Sequence, residues 1–166
     1  FTLNSIHILE AQIYTWNNGI SLDIFRVKPP PDKLFENEKW AKAEKDLRGV
    51  LTGKTDLKKV LSEKTRNYAS FKPRTLEEPN QVVIDNETSG FFTIIEVFTY
   101  DYPGLLFKIT DVLFKCNLNI YFSQIATKAD QVVDVFYVRD FDGQKTDSPE
   151  QIEAIKAAIT EVLPEI

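Results

Sequence analysis

The chain has 166 residues, 43% of them hydrophobic and 27% charged, with a formal net charge of −5. That length holds one large domain or two small ones, and the composition is that of an ordinary folded protein. The acidic balance argues against nucleic-acid partners and anionic membrane surfaces, which draw affinity from Lys and Arg, and no run of about 18 apolar residues is present to span a bilayer.

The opening residues Phe1-Thr2-Leu3-Asn4 have neither the basic start nor the apolar stretch of a signal peptide. A start at Phe, in a chain without Met, reads as a piece of something longer. Cys116 is the only cysteine, so no internal disulfide can form, and a reducing, cytoplasmic setting is expected.

In chain order, residues 6–16 alternate apolar and polar, Asn18-Gly19 offers a tight turn, and residues 20–27 alternate again, which predicts a β-hairpin. Pro29-Pro30-Pro31-Asp32 then blocks and caps a helix whose apolar face would be Leu34, Trp40, Leu47, Val50 and Leu51. Gly53 breaks it, and Leu57, Val60 and Leu61 suggest a second, short helix. Residues 72–80, with two prolines and several charges, read as a linker.

Val82 to Asp85 is a short strand, residues 86–90 a turn, and Phe91 to Tyr100 a strand rich in Phe, Ile, Thr and Val. After Asp101-Tyr102-Pro103-Gly104, the residues Leu105, Leu106, Ile109, Val112, Leu113 and Cys116 share one helical face, and Asn117 can end that helix. A second hairpin, 118–128 and 132–140, precedes Ser148-Pro149-Glu150, a helix start with cap, first-turn Pro and acid. Ile152, Ile155, Ile159, Val162 and Leu163 form the buried stripe of that last helix.

The two hairpins are copies of each other. Ala11-Gln12-Ile13-Tyr14-Thr15 aligns with Ser123-Gln124-Ile125-Ala126-Thr127, and Leu22-Asp23-Ile24-Phe25-Arg26-Val27 with Val133-Asp134-Val135-Phe136-Tyr137-Val138. The second copy reads β-α-β-β-α, a split βαβ arrangement with helices on one face of an antiparallel sheet, and Val82 to Ile84 can supply the missing edge strand. Both sheet faces carry apolar residues, so a second copy of the unit is expected to cover one of them.

The sharpest chemical signal is the strand-to-helix turn Asp101-Tyr102-Pro103-Gly104-Leu105-Leu106. Pro fixes φ, Gly lets backbone approach closely, and first-turn amides can hold a carboxylate, although the same residues also serve a plain tight turn. Asn119, opening the next strand, is expected beside this turn. Asp23 and Asp134 recur between apolar neighbours and are expected on a solvated face or tied to a turn. His7 is the single histidine, no cluster has metal-ligand spacing, and no phosphate loop, nucleophile elbow or RNA-binding aromatic motif occurs. No catalytic residue and no cofactor is assigned.

Asp101-Tyr102-Pro103-Gly104-Leu105-Leu106 followed by Asn119-Ile120 resembles ACT domains, small βαββαβ modules of ferredoxin-like α+β fold that bind amino acids and regulate metabolic enzymes. With Val83-Ile84-Asp85-Asn86-Glu87-Thr88-Ser89, residues 93–97, residues 133–138 and Leu47-Arg48-Gly49-Val50-Leu51-Thr52-Gly53, the chain resembles the C-terminal tandem ACT region of bacterial bifunctional uridylyltransferase/uridylyl-removing enzymes. The resemblance implies a partial first ACT domain over 1–71 with an extra helix, a linker over 72–81 and a second ACT domain over 82–163. It implies glutamine as the ligand, at Asp101, Pro103, Gly104, Leu105, Leu106, Asn119 and Ile120. It further implies the PII nitrogen-signalling protein as the parent enzyme's partner, and ACT–ACT pairing within or between chains. Tyr102 stands where Arg is common in the family, and His7 takes the position of Asn119 in the first copy.

Overall fold

The computed structural model describes residues 1–16, 18–29, 35–66, 80–128 and 131–164. They fall into two compact units, one of residues 1–8 and 27–72, the other of residues 9–26 and 73–166.

In the first unit a 3-10 turn, Thr2–Asn4, precedes α1 (Glu36–Leu51) and α2 (Leu57–Thr65). Glu36 and Glu38 sit in the first turn of α1 and Arg48 in its last, which complements the helix dipole. Lys42 and Arg48 pair with Asp46 and Glu44 one turn away, at 3.0 and 2.8 Å. The amide of Asn4 donates to Asp46 at 2.9 Å, and its carbonyl accepts from Lys42 at 2.7 Å. Those bonds, Asn4 first and then Lys42, hold the Asp46 carboxyl below the usual carboxylate range.

The expected apolar face of α1 does not form a core. No residue of the helix is buried, and Trp40, Leu47 and Leu51 are exposed. Leu34 and most of the proline run, like residues 72–79 of the expected linker, lie outside the described residues. The short second helix does form, with Asp56 accepting from the Lys59 amide as its cap and Leu61 buried.

The second unit is built on a six-stranded sheet ordered β2-β1-β5-β6-β4-β3. Its strands are β1 (Ile8–Thr15), β2 (Ser21–Val27), β3 (Gln81–Asp85), β4 (Thr93–Tyr100), β5 (Leu118–Lys128) and β6 (Gln131–Asp140). The pairs β1–β5, β5–β6, β6–β4 and β4–β3 are antiparallel. Since β4 and β5 each run opposite to β6, they are parallel to one another, and α3 (Leu105–Lys115) makes the crossover between them.

β3 pairs with β4 from Gln81↔Phe98 to Asp85↔Ile94, so the edge of the βαββα unit is closed by the strand that precedes it. α4 (Pro149–Val162) packs beside α3, with Ser148 accepting from the Gln151 amide and Pro149 in the first turn. The core lies between these helices and the sheet: Leu105, Ile109, Leu113, Ile155 and Ile159 meet Ile95, Val97, Leu118, Phe136 and Val138, all at most 2% exposed. Alternation along the strands sends Phe92, Ile94, Phe122 and Tyr137 to the other face.

The hairpin β1–β2 turns through Gly19 at φ 79° and joins the sheet through β5. In that ladder Ala11 faces Ile125, Gln12 faces Gln124 and Ile13 faces Ser123. The aligned residues of the two copies therefore exchange places across the seam, which is the signature of a local two-fold axis.

Candidate ligand site

The strand-to-helix turn takes the form its residues dictate. Gly104 adopts φ 92°, where a side chain would be strained, and the Leu105 amide donates back to the Tyr102 carbonyl at 3.0 Å. Lys108 donates to the Gly104 carbonyl at 3.1 Å and closes the first turn of α3. The Leu105 amide is thus spent on the turn itself, and Leu106 retains the first-turn amide that can meet an anion. No side chain caps this helix end, and its first turn holds no acid. Asp101 is exposed, Pro103 and Leu106 are partly exposed, and Gly104 and Leu105 are buried.

Tyr102 anchors the turn. Its hydroxyl donates to the Val162 carbonyl at the end of α4 (2.6 Å), and Lys108 lies over its ring at 4.8 Å. Burial pushes the phenol up to about 12. The bond makes Tyr102 a tether between the turn and the last helix.

Asn119 is not beside the turn. Thr93, at the start of β4, pairs with Val138, and Val138 with Ile120; Tyr100, at its end, pairs with Gln131, and Gln131 with Lys128. The turn after Tyr100 therefore lies at the Lys128 end of β5, the whole strand length away from Asn119 and Ile120. Asn119 is exposed opposite Arg139, and Ile120 is partly exposed at the register shift before Phe122. Parallel β4 and β5 make this separation unavoidable, because the crossover helix returns the chain to the end where β4 began.

Beneath the turn the structure holds a residue that the alternation pattern misassigns. Asp134 is 1% exposed and faces the helices between Val97 and Ile125, and its Oδ1 has no hydrogen-bond partner. Burial, and secondarily the charge of Asp101, push its carboxyl up to about 8. Its counterpart Asp23 does lie in solvent, bonded to Ser21 at 2.7 Å. The neighbours at two-residue spacing, Val132 and Phe136, are both buried, and that signal could have placed Asp134 inside.

The Asp85-Asn86-x-x-Ser89 motif is structural. Asp85 Oδ1 accepts from the Glu87 and Thr88 amides at 2.7 and 3.0 Å, and Ser89 Oγ from Phe91 and Phe92 at 3.2 and 3.1 Å. Asn86 donates to the Thr146 carbonyl at 2.6 Å and accepts from Thr93 at 2.7 Å, while Lys145 donates to the Asn86 and Ser89 carbonyls. This ties the β3–β4 hairpin to the segment entering α4.

Among the described residues, clefts also lie outside the turn. One, of about 340 Å³, sits between α3 and α4 against Val112, Cys116, Ala158 and Val162; another, of about 730 Å³, lies at the α1–α2 corner around Gly49 and Thr55. Among the described residues no group of three His, Cys, Asp or Glu could hold a metal, and no helix is long and apolar enough to cross a membrane.

The family described as "ACR9-like, ACT-like domain" matches residues 81–165, the span from β3 through α4. The chain belongs to the ACT-like domain family. It is 35% identical over 98% of its length to the bifunctional uridylyltransferase/uridylyl-removing enzyme of Rhodospirillum rubrum, of which the match covers 18%. The same enzyme of Bradyrhizobium diazoefficiens is 35% identical over 95% of the chain and that of Azospirillum brasilense 34% over 94%, each covered to 17%. The chain thus spans less than a fifth of the length of these relatives. No solved structure matches it.

Proposed function

We propose that this chain is the amino-acid-sensing region of a longer uridylyltransferase/uridylyl-removing enzyme, and that glutamine bound at the Asp101–Leu106 turn sets the balance between uridylylation and deuridylylation of the PII signalling protein. The observation that carries this reading is the extent of the similarity: it runs along 98% of the chain yet amounts to 18% of the bifunctional relative. The ligand's carboxylate would meet the Leu106 amide at the positive end of α3. Tyr102 would pass the change at the turn to α4 through its bond to Val162. Regulation requires that glutamine bind one arrangement of the ACT pair more tightly than the other.

The test uses the full-length enzyme, with both activities on PII measured against glutamine concentration. Gly104→Val is expected to leave both basal activities in place and to remove their glutamine dependence. Unchanged glutamine dependence in that variant would overturn the assignment of the turn.

A second reading, a pairing module that acts without ligand, draws on Leu22 and Ile24 of edge strand β2 and on Ile20 just before it, which are 46–55% exposed. Association of the chain in amino-acid-free buffer, read by size-exclusion chromatography with light scattering, would support it.

A further inference from the structure

The separation of Asn119 from the turn leaves a second polar group at the other end of the sheet. Arg139 lies directly across from Asn119 in the β5–β6 ladder, so the two side chains share a face. Its Nε donates to the Phe91 carbonyl at 2.7 Å. Its guanidinium carbon stands 4.8 Å from the centre of the Phe92 ring and 5.5 Å from that of Tyr121. The two rings lean on each other at 5.6 Å, and a register shift between Ile120 and Phe122 swings Tyr121 out of the regular ladder.

One carbonyl acceptor and two rings thus hold the guanidinium in place, and its terminal NH2 groups carry no partner among the described residues. Arg26 and Arg48, by contrast, each bond a glutamate, at 2.9 and 2.8 Å. In a chain of net charge −5, a fixed arginine without a carboxylate is set up for an external one. The fork needs no reordering to bind, which removes part of the entropic cost.

We propose that Arg139 and Asn119 form a carboxylate-binding station on the open sheet face, at the opposite end from the α3 turn, taking a small amino-acid ligand. Arg139 holds the carboxylate through its terminal NH2 groups, Asn119 supplies an amide to a neighbouring polar group, and Phe92 and Tyr121 hold the guanidinium. The amino-acid class of ligand rests on the sensing reading above; the anion chemistry rests on the geometry alone.

Nuclear magnetic resonance titration of the chain with L-glutamine, and separately with inorganic phosphate, tests this through the Arg139 Nε–H and Asn119 side-chain signals. Saturable shifts with L-glutamine are expected, weakened about tenfold or more in Arg139→Gln and severalfold in Asn119→Ala. Asn119 is exposed, so that second variant keeps the fold. Gly104→Val is expected to leave these signals responsive. Glutamine shifts confined to residues 101–106, abolished by Gly104→Val and indifferent to Arg139→Gln, would overturn the station while leaving the turn as the sensing site. Saturation by phosphate but not by L-glutamine would overturn the carboxylate assignment, and no saturable shift at either residue with either probe would overturn the site.

Discussion

Gln12 and Gln124, aligned residues of the two hairpin copies, face each other across the β1–β5 seam. Ala11↔Ile125 and Ile13↔Ser123 flank them symmetrically, so the copies meet edge to edge about an axis that runs between the two glutamines. Ala11 is fully buried opposite Ile125. Ala11→Asp would place an unpaired charge there and is expected to cost about 3 kcal/mol. Urea denaturation measures the loss, and faster hydrogen exchange of the β1 and β2 amides locates it; unchanged protection of β1 would contradict the pairing.

Asp134 makes stability depend on pH with a definite sign. Its carboxyl keeps its proton in the folded state up to about 8, whereas the unfolded chain releases it near the ordinary value of 3.8. Between those values the folded state binds more protons, so this group's contribution falls as pH rises from about 4 to 8 and levels off above. Asp134→Asn is expected to stabilise the protein by about 1–3 kcal/mol at pH 8 and to change little at pH 4. Urea midpoints at the two pH values check this, and equal effects at both would contradict it.

The tether from Tyr102 to Val162 predicts a local effect. Tyr102→Phe removes a 2.6 Å bond and leaves the Val162 carbonyl without it, at an expected cost of about 1 kcal/mol. Hydrogen exchange should rise in the last turn of α4 and not in β5. A uniform rise across the unit would speak against a tether.

Asn86→Ala breaks the bonds to Thr146 and Thr93 together and is expected to cost about 2–3 kcal/mol. Thermal unfolding reads the loss. Glutamine affinity at the α3 turn should be unchanged in the folded fraction, because this knot lies at the β3–β4 hairpin.

Much of this fold is written in local signals. Ser148-Pro149 starts α4, Asn117 ends α3 at φ 60°, and Gly104 takes the backbone conformation that the turn demands. The hairpin copies also align in the sequence before they align in space. What local signals do not carry is the relation between elements. Asn119 follows α3 closely in the chain, but only the parallel course of β4 and β5 shows that it opens its strand at the far end. Alternation cannot place Asp134, because Val133 and Val135 are apolar too, and a strand apolar on both faces gives it no side to choose. The apolar face expected for α1 carries no buried residue in its own unit.

The turn from Asp101 to Leu106 remains the candidate sensing site, with Leu106 in place of two free amides and without Asn119 beside it. The most direct test is isothermal titration of the chain with L-glutamine, alongside Gly104→Val. A saturable component that the chain shows and the variant lacks is the expected result, with the heat of the Arg139 station kept in both. The absence of saturable heat, or the same isotherm in both proteins, would contradict a glutamine site at the start of α3.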